Sequence, residues 1–295
     1  MLRFRHTCSY LGLAAALTIS GCGPTSRATG EVRILDDAGD AIILSQPARR
    51  VVSLVPATTE LLFAIGAGSN VVGRTAWCDY PAAVESVPNL GDGLRPNLEA
   101  IVAQRPDLVV LYNSSQNATA VSQLRQLGIP AIRLNTDRLD QVSRNARILG
   151  QLTGRETQAD SVVTAFEHQL ADASFQLDSP PKVFLLAWDQ PPMTIGGGSF
   201  QSEIVARAGG RNVFGDLLKA SGPVSIEAVA ARDPDVILFF DDATPGLDDR
   251  PEWKAVRAVR ERRFLVIGGT EFSRPGPRAP EAIRTLATHL RALPR

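Results

Sequence analysis

The sequence predicts an α/β protein of two Rossmann-like lobes joined by one long interlobe helix, and three observations support this. Short β-branched runs alternate with helical patterns from Arg50 onward, which indicates mainly parallel sheets. The segment NLEAIVAQRPDLVVL (Asn97–Leu111) returns as SIEAVAARDPDVILF (Ser225–Phe239), with five identical positions and an offset of 128 residues. That offset is far longer than a solenoid repeat of roughly 20–50 residues, so it indicates two similar halves. A stretch without strand character separates these halves.

Residues 1–21 are a predicted lipoprotein signal peptide. Arg3 and Arg5 precede a short apolar run, which is shorter than the about 20 residues that a membrane-spanning helix needs. The run ends in ISGC, which resembles the bacterial lipobox, and Cys22 is therefore the predicted lipidation site. An ordinary signal peptide with a chance cysteine is the alternative. Residues 22–30 are small and polar, as expected of a flexible tether.

The cysteine count predicts no internal disulfide. Cys8 lies in the signal peptide and Cys22 would carry lipid, which leaves Cys78 alone in the folded part of an exported chain. We expect Cys78 to pack as a small apolar side chain.

Residues 31–138 form the predicted N-terminal lobe. The run EVRILDDAGDAIILS alternates around a turn and predicts a β-hairpin. The strands VVSLV, VVGRT, DLVVLY and PAIRL then alternate with the helices ATTELLFAIGAG, NLEAIVAQ and NATAVSQLRQLG.

Residues 139–178 form the predicted connecting helical segment. Thr153-Gly154 interrupts it, and the pattern ETQADSVVTAFEHQLADASFQL then continues for about 22 residues, or about 33 Å at the helical rise. That length would carry the chain from one lobe to the other and make a stiff pair of lobes.

Residues 179–295 form the predicted C-terminal lobe. Its strands are KVFLLAW, DVILFF and RFLVIGG, and its helices are SFQSEIVARAGG, SIEAVAAR, PEWKAVRAV and PEAIRTLATHLRAL. Trp253 is expected to pack the PEWKAV helix against the sheet.

The repeated segment places one acid in the first turn of a helix in each lobe. Asn97 and Ser225 are good N-caps, and Glu99 and Glu227 follow them. The positive helix end stabilises such a carboxylate by about 0.3–1 kcal/mol, so two ordinary helix starts would explain the pattern. The alternative is a symmetric pair of carboxylates that engages two copies of a basic partner.

The candidate ligand site lies beyond the carboxyl ends of the strands, where open α/β sheets bind ligands. The aromatic residues Trp77, Tyr112 and Trp188 lie there, and they suit a flat macrocycle. The full set of predicted ligand-binding residues is Pro56, Ala57, Thr58, Trp77, Tyr112, Trp188, Asp189 and Arg274.

The sequence argues against several other classes. Lys plus Arg and Asp plus Glu are both 31, without a basic patch, which gives no support to nucleic-acid binding. The three histidines (His6, His168 and His289) are far apart, so no metal site is predicted. The chain has neither a Gly-x-Ser-x-Gly elbow nor a phosphate-binding loop, and we therefore expect no catalytic residues, no enzyme and no resident cofactor.

Three segments resemble the substrate-binding proteins of ABC importers for cobalamin and iron–siderophore complexes. They are RRVVSLVPATTELLFAIGAGSNVVGRTAWCDYP, NLEAIVAQRPDLVVL and PPMTIGGGSFQSEIVARAGGRNVF. The resemblance covers about Glu31 to Arg295. It implies a class III periplasmic-binding-protein fold with a rigid helical backbone and a cleft between the lobes. It also implies a monomeric, exported protein, lipid-anchored to a membrane, whose Glu99 and Glu227 dock onto arginines of a permease dimer that carries ATPase subunits.

Within that family the sequence is most similar to the cobalamin-binding, BtuF-like branch, because of SLVPATTELLFAIG, CDYP and the NLE/SIE pair. It departs from the branch in the loops GDGLRP and KASGPV, which lack aromatic residues. Cobalamin or a related corrinoid is the expected ligand, and haem or a ferric siderophore is the alternative. A surface scaffold lipoprotein without a transport role is the alternative of another class.

Overall fold

The N-terminal lobe is a four-stranded parallel sheet preceded by a hairpin. The computed structural model describes residues 30–240 and 246–293, so the predicted signal peptide, Cys22 and nearly all of the tether lie outside the described residues. The strands of this lobe are β1 (Val32–Leu35), β2 (Ala41–Leu44), β3 (Val51–Ser53), β4 (Val71–Arg74), β5 (Leu108–Tyr112) and β6 (Ala131–Leu134). Strands β1 and β2 pair antiparallel, and the parallel sheet has the order β4-β3-β5-β6.

The C-terminal lobe has a mixed sheet. Its strands are β7 (Lys182–Asp189), β8 (Pro192–Ile195), β9 (Arg211–Asn212), β10 (Ser221–Pro223), β11 (Val236–Phe239) and β12 (Phe264–Val266). The order is β10-β8-β7-β11-β12, and β9 pairs with the start of β7. Strands β7, β11 and β12 are parallel, whereas β8 and β10 form an antiparallel edge that the sequence pattern did not predict.

Two helices connect the lobes. The α-helices are α1 (Pro56–Ala64), α2 (Leu98–Ala103), α3 (Ser115–Gln126), α4 (Asp140–Thr153), α5 (Glu156–Ala173), α6 (Phe200–Arg207), α7 (Ile226–Arg232), α8 (Arg257–Arg260) and α9 (Ala279–Arg291). Gly154 ends α4 in the left-handed conformation (φ 66°), which a glycine adopts without strain. Helix α4 packs on α1 of the first lobe, and α5 packs on both α4 and α9. The 18-residue α5 is the predicted interlobe helix, although it ends at Ala173, four residues before Leu177.

Trp253 is buried against Phe184, as predicted, with 6.3 Å between the ring centroids. The predicted PEWKAVRAV helix is instead a 3-10 turn (Pro251–Ala255) followed by α8. The reason is Val256, a β-branched residue in an extended conformation that separates the two pieces.

The repeated segment has a structural role in each lobe. The carboxylate of Asp107 accepts the backbone N–H groups of Arg49 and Arg50, at the start of β3. In the second lobe, Asp235 accepts the backbone N–H of Lys182, at the start of β7. The aspartate of each Pro-Asp pair thus ties its helix–strand unit to the neighbouring parallel strand.

The largest buried cluster runs through both lobes. It includes Val51 and Leu108 of the first sheet, Leu149 of α4, Phe166 of α5 and Leu286 of α9. Because the helix pair shares one core with both sheets, the lobes form one unit from Glu31 onward and the predicted two-lobed α/β class is confirmed. In the described ranges, we find no helix with the length and apolar character needed to cross a bilayer.

Candidate functional site

A cleft of about 600 Å³ lies between the two lobes, within the range of small-molecule sites. Both lobes supply apolar walls, for example Leu54 and Leu94 from the first lobe and Phe200 from the second. Its charged lining residues are Asp92, Asp137 and Arg274.

Five predicted residues line this cleft: Pro56, Ala57, Trp77, Tyr112 and Arg274. Pro56 occupies the first turn of α1, where a proline loses no helical hydrogen bond, so the start of α1 faces the cleft. Trp77 follows β4 and Tyr112 ends β5, which are the strand ends that the topology rule selects.

Thr58 does not line the cleft. Its side chain is fully buried, and its Oγ1 bonds to Ser53 Oγ and the Val55 carbonyl, both at 2.9 Å. The threonine therefore fixes the β3–α1 turn from inside the lobe.

Trp188 and Asp189 also lie outside the cleft lining. Strand β7 pairs with β11 only as far as Leu186 and then continues into a hairpin with β8. At the hairpin, the Trp188 indole donates to the Gln190 carbonyl at 2.7 Å, and Asp189 pairs with Arg250 at 2.5 Å. The strand-end rule failed here because β7 extends past the edge of the parallel part of the sheet.

The loop before α2 contributes cleft residues that the sequence analysis missed. Asp92 and Leu94 line the cleft on either side of Gly93. Gly93 has φ +77°, and a Cβ there would lie 2.8 Å from the Leu54 carbonyl oxygen, so only glycine lets the loop approach β3 this closely. The GDGLRP loop thus lines the cleft without an aromatic residue.

Two further groups were missed although a signal existed for both. The N-cap and first turn of α3 contribute Ser114, Gln116 and Asn117, and the segment after β6 contributes Thr136 and Asp137. Both follow the carboxyl ends of parallel strands, so the strand-end rule applied to β5 and β6 in full would have found them.

Tyr112 and Asp137 form a hydrogen-bonded pair in the cleft. The Tyr112 hydroxyl donates to Asp137 Oδ1 at 2.7 Å. Burial of the phenol, together with this carboxylate, raises the pKa of Tyr112 to about 12. At neutral pH Tyr112 is therefore a protonated donor that Asp137 already engages.

Arg274 reaches the cleft from the second lobe but pairs with acids of the first. Its Nη1 and Nη2 lie 2.9 and 3.2 Å from the two carboxylate oxygens of Asp79, and Nη1 lies 3.4 Å from Glu60. Such bidentate pairs fix the guanidinium and balance its charge. The positive charge at the cleft is thus largely neutralised by the protein.

Glu99 and Glu227 occupy equivalent places on the two lobes. Asn97 caps α2 by accepting the Ala100 N–H at 3.0 Å, and Ser225 caps α7 by accepting the Ala228 N–H at 3.1 Å. Both glutamates are exposed, and neither forms an ion pair with another described residue. The Glu227 carboxylate accepts hydrogen bonds from its own backbone N–H, which has the larger effect, and from the Ser225 hydroxyl. Both lower the pKa of Glu227 below its usual value.

No cluster of three or more metal-ligating side chains occurs in the part of the chain that the structure describes. The lining of the cleft offers apolar contacts and hydrogen-bonding groups, which suit an organic ligand.

Comparison with known sequences identifies the family, because the model of the periplasmic binding protein family matches residues 51–270, well over half of the chain. The chain belongs to the periplasmic binding protein family. An uncharacterized ABC transporter substrate-binding lipoprotein, YvrC of Bacillus subtilis, is 29% identical, with 93% of each chain covered. The family comprises exported substrate-binding proteins of transport systems and not enzymes.

Solved structures of the family agree with the fold. The periplasmic vitamin B12 binding protein BtuF of Vibrio cholerae has a TM-score of 0.70 and 26% identity, covering 83% of this chain and 97% of its own. The periplasmic heme-binding protein RhuT of Roseiflexus sp. RS-1, in its apo form, has a TM-score of 0.74 and 28% identity, with 82% and 98% covered. The predicted class III fold is thereby confirmed, and the protein is an ABC-type substrate-binding protein of the group that contains both relatives.

Proposed function

We propose that this protein captures cobalamin or a related corrinoid in the interlobe cleft and delivers it to an ABC permease. One observation carries the proposal: an apolar-walled cleft lies between two lobes, and each lobe presents an exposed glutamate, without an ion pair to any described residue, at the same position of a repeated helix start. The family resemblance implies a dimeric permease, and one acid per lobe gives a two-point contact to a two-fold symmetric basic partner. The vitamin B12 binding relative supports a corrinoid as the ligand.

The ligand is tested with the soluble chain from Gly23 by calorimetric titration. Cyanocobalamin, cobinamide, haemin and a ferric hydroxamate siderophore are the four probes. Submicromolar binding of the corrinoids is the expected result. Binding of haemin or the siderophore alone would agree with the importer role but show that the ligand is not a corrinoid.

Delivery is tested by the double variant Glu99→Ala/Glu227→Ala. We expect corrinoid uptake by cells that depend on this protein to be lost while the ligand affinity of the purified variant stays unchanged. The matched control is Glu85→Ala/Glu281→Ala, which removes one exposed glutamate from each lobe at other positions. Uptake that survives the first double variant would contradict the docking role of the two glutamates. Corrinoid uptake that does not depend on this protein at all would favour the scaffold alternative.

The membrane anchor is tested at Cys22, which lies outside the described residues. Cells labelled with a fatty-acid analogue should yield a labelled protein in the membrane fraction, and Cys22→Ser should abolish both the label and the membrane association. Labelled Cys22→Ser protein would contradict lipidation at this cysteine.

A further inference from the structure

An unsatisfied acceptor lies in the first-lobe wall of the cleft. Asn117, in the first turn of α3, lines the cleft and is 5% exposed. Its Nδ2 donates to the Tyr112 carbonyl at 2.9 Å, which fixes the orientation of the amide. Its buried Oδ1 has no hydrogen-bond partner among the described residues. Because a buried acceptor without a partner is costly and rare, this oxygen of a cleft-lining residue marks a place where a ligand donor would complete the site, after a small movement of the groups that cover it.

Asp137 adds a second acceptor to the same wall. One of its oxygens accepts a hydrogen bond from the Tyr112 hydroxyl, so the pair offers the ligand a carboxylate oxygen rather than a phenolic donor. Tyr112 joins the two acceptors, because its carbonyl holds Asn117 and its hydroxyl holds Asp137. The backbone N–H of Asp137 is also engaged, by Gln141 Oε1 at 2.7 Å.

The charges of the cleft favour ligands without carboxylates. Asp92 and Asp137 line it, and the guanidinium of Arg274 is held by Asp79. The hydroxyl and amide groups elsewhere in the lining can donate or accept, so they do not discriminate. A carboxylate on the ligand would meet Asp137, and the described residues that line the cleft include no cation other than the paired Arg274 to balance it. Like charges in a desolvated site repel.

We propose that Asn117 and Asp137 form an acceptor pair that recognises the N–H donors of primary amides at the rim of the ligand and rejects carboxylates. The pair therefore selects an amidated macrocycle, such as a corrinoid, over a macrocycle that carries carboxylates, such as haem. This inference rests on the proposed function and deepens it, since it names the chemical group of the ligand that the cleft recognises.

Matched ligand pairs test the inference by calorimetry. One pair is cyanocobalamin and its b-, d- and e-monocarboxylic acids, in which one amide NH₂ is replaced by O⁻. The other pair is haemin and haemin bis-amide. We expect at least one monocarboxylic acid to bind about 10-fold more weakly than cyanocobalamin, because a site built for a donor strongly rejects an analogue without it.

Two variants assign the effect to the acceptor pair. Asp137→Asn keeps an oxygen for the Tyr112 hydroxyl and removes the charge, and Asn117→Leu removes the acceptor at similar size. Each should reduce the discrimination between amide and carboxylate by several-fold. Gln123→Ala, an exposed change on the same helix, is the control and should leave the discrimination unchanged. Melting curves of all variants show whether they remain folded.

The outcomes separate this inference from the proposed function. Equal affinity for cyanocobalamin and its three monocarboxylic acids would overturn the acceptor pair and leave the corrinoid ligand standing. A protein that binds no corrinoid but prefers haemin bis-amide to haemin would keep the acceptor pair and overturn the corrinoid. Preference for haemin without corrinoid binding, or binding of none of these macrocycles, would overturn both.

Discussion

Arg278 of the second lobe holds the buried Glu60 of the first. Its Nη2 lies 2.7 Å from Oε1 and its Nε 3.1 Å from Oε2, in a bidentate pair. Glu60 is 2% exposed within α1, whereas Arg278 immediately precedes α9. A buried carboxylate of one lobe thus depends on a cation of the other, so separation of the lobes would leave it unpaired.

We predict that Arg278→Ala lowers the free energy of unfolding by about 3 kcal/mol, because removal of one partner leaves a buried charge. Arg274 lies 3.4 Å from Glu60 and compensates only in part. For a chain of this size the change corresponds to a fall in melting temperature of roughly 6–10 °C. Arg284→Ala on the exposed face of α9 is the control, and an equal effect of the two changes would argue against the interlobe pair.

The lobes should move little when ligand binds. A second tie joins Arg138 to Glu203, and the Glu203 carboxylate also accepts the Leu139 N–H at 3.0 Å. Together with the core shared through α4 and α5, these ties keep the cleft formed without ligand. We expect small-angle scattering to give the same radius of gyration with and without ligand. A clear compaction on binding would contradict this rigidity.

The repeated segment shows most clearly which features of the fold could be predicted from the sequence. The offset of 128 residues correctly indicated two halves, and the aspartate of the repeated Pro-Asp pair ties neighbouring strands in each half. The position of Trp188 could not be read from the pattern, because the β7–β8 hairpin depends on a turn and a register shift that leave no periodic signal. The pairing of Arg278 with Glu60 across the lobes could not be predicted either. The two residues are 218 positions apart, and no sequence pattern links single residues at that distance.

The two exposed tryptophans should respond differently to mutation. Trp77 lines the cleft, whereas Trp188 lies outside it. We expect Trp77→Ala to weaken ligand binding by about 10-fold, as for an aromatic anchor, and Trp188→Ala to leave it unchanged. Calorimetric titration with cyanocobalamin measures both affinities. If Trp188→Ala weakened binding and Trp77→Ala did not, Trp188 rather than Trp77 would be the tryptophan that contacts the ligand.

The alkaline titration of Tyr112 tests the Tyr112–Asp137 pair directly. In the soluble chain from Gly23 the tyrosines are Tyr80 and Tyr112, so Tyr80→Phe leaves Tyr112 as the only phenol in the absorbance titration. We expect its pKa near 12, against an ordinary value of 10.0. Asp137→Asn should lower the pKa of Tyr112 while leaving it above 10.0, because burial is the larger cause of the shift.

The raised pKa of Tyr112 makes the stability of the folded protein depend on pH in the alkaline range. Since the folded-state pKa of Tyr112 is raised, the stability that its protonated form contributes is fully present below the unfolded pKa of about 10 and is lost as the pH rises through about 12. In the Tyr80→Phe background, adding Tyr112→Phe should therefore flatten the decline of the unfolding free energy between these pH values, measured by urea denaturation. An unchanged decline would show that Tyr112 titrates alike in the folded and unfolded chain, and the hydrogen bond to Asp137 would then not hold its proton.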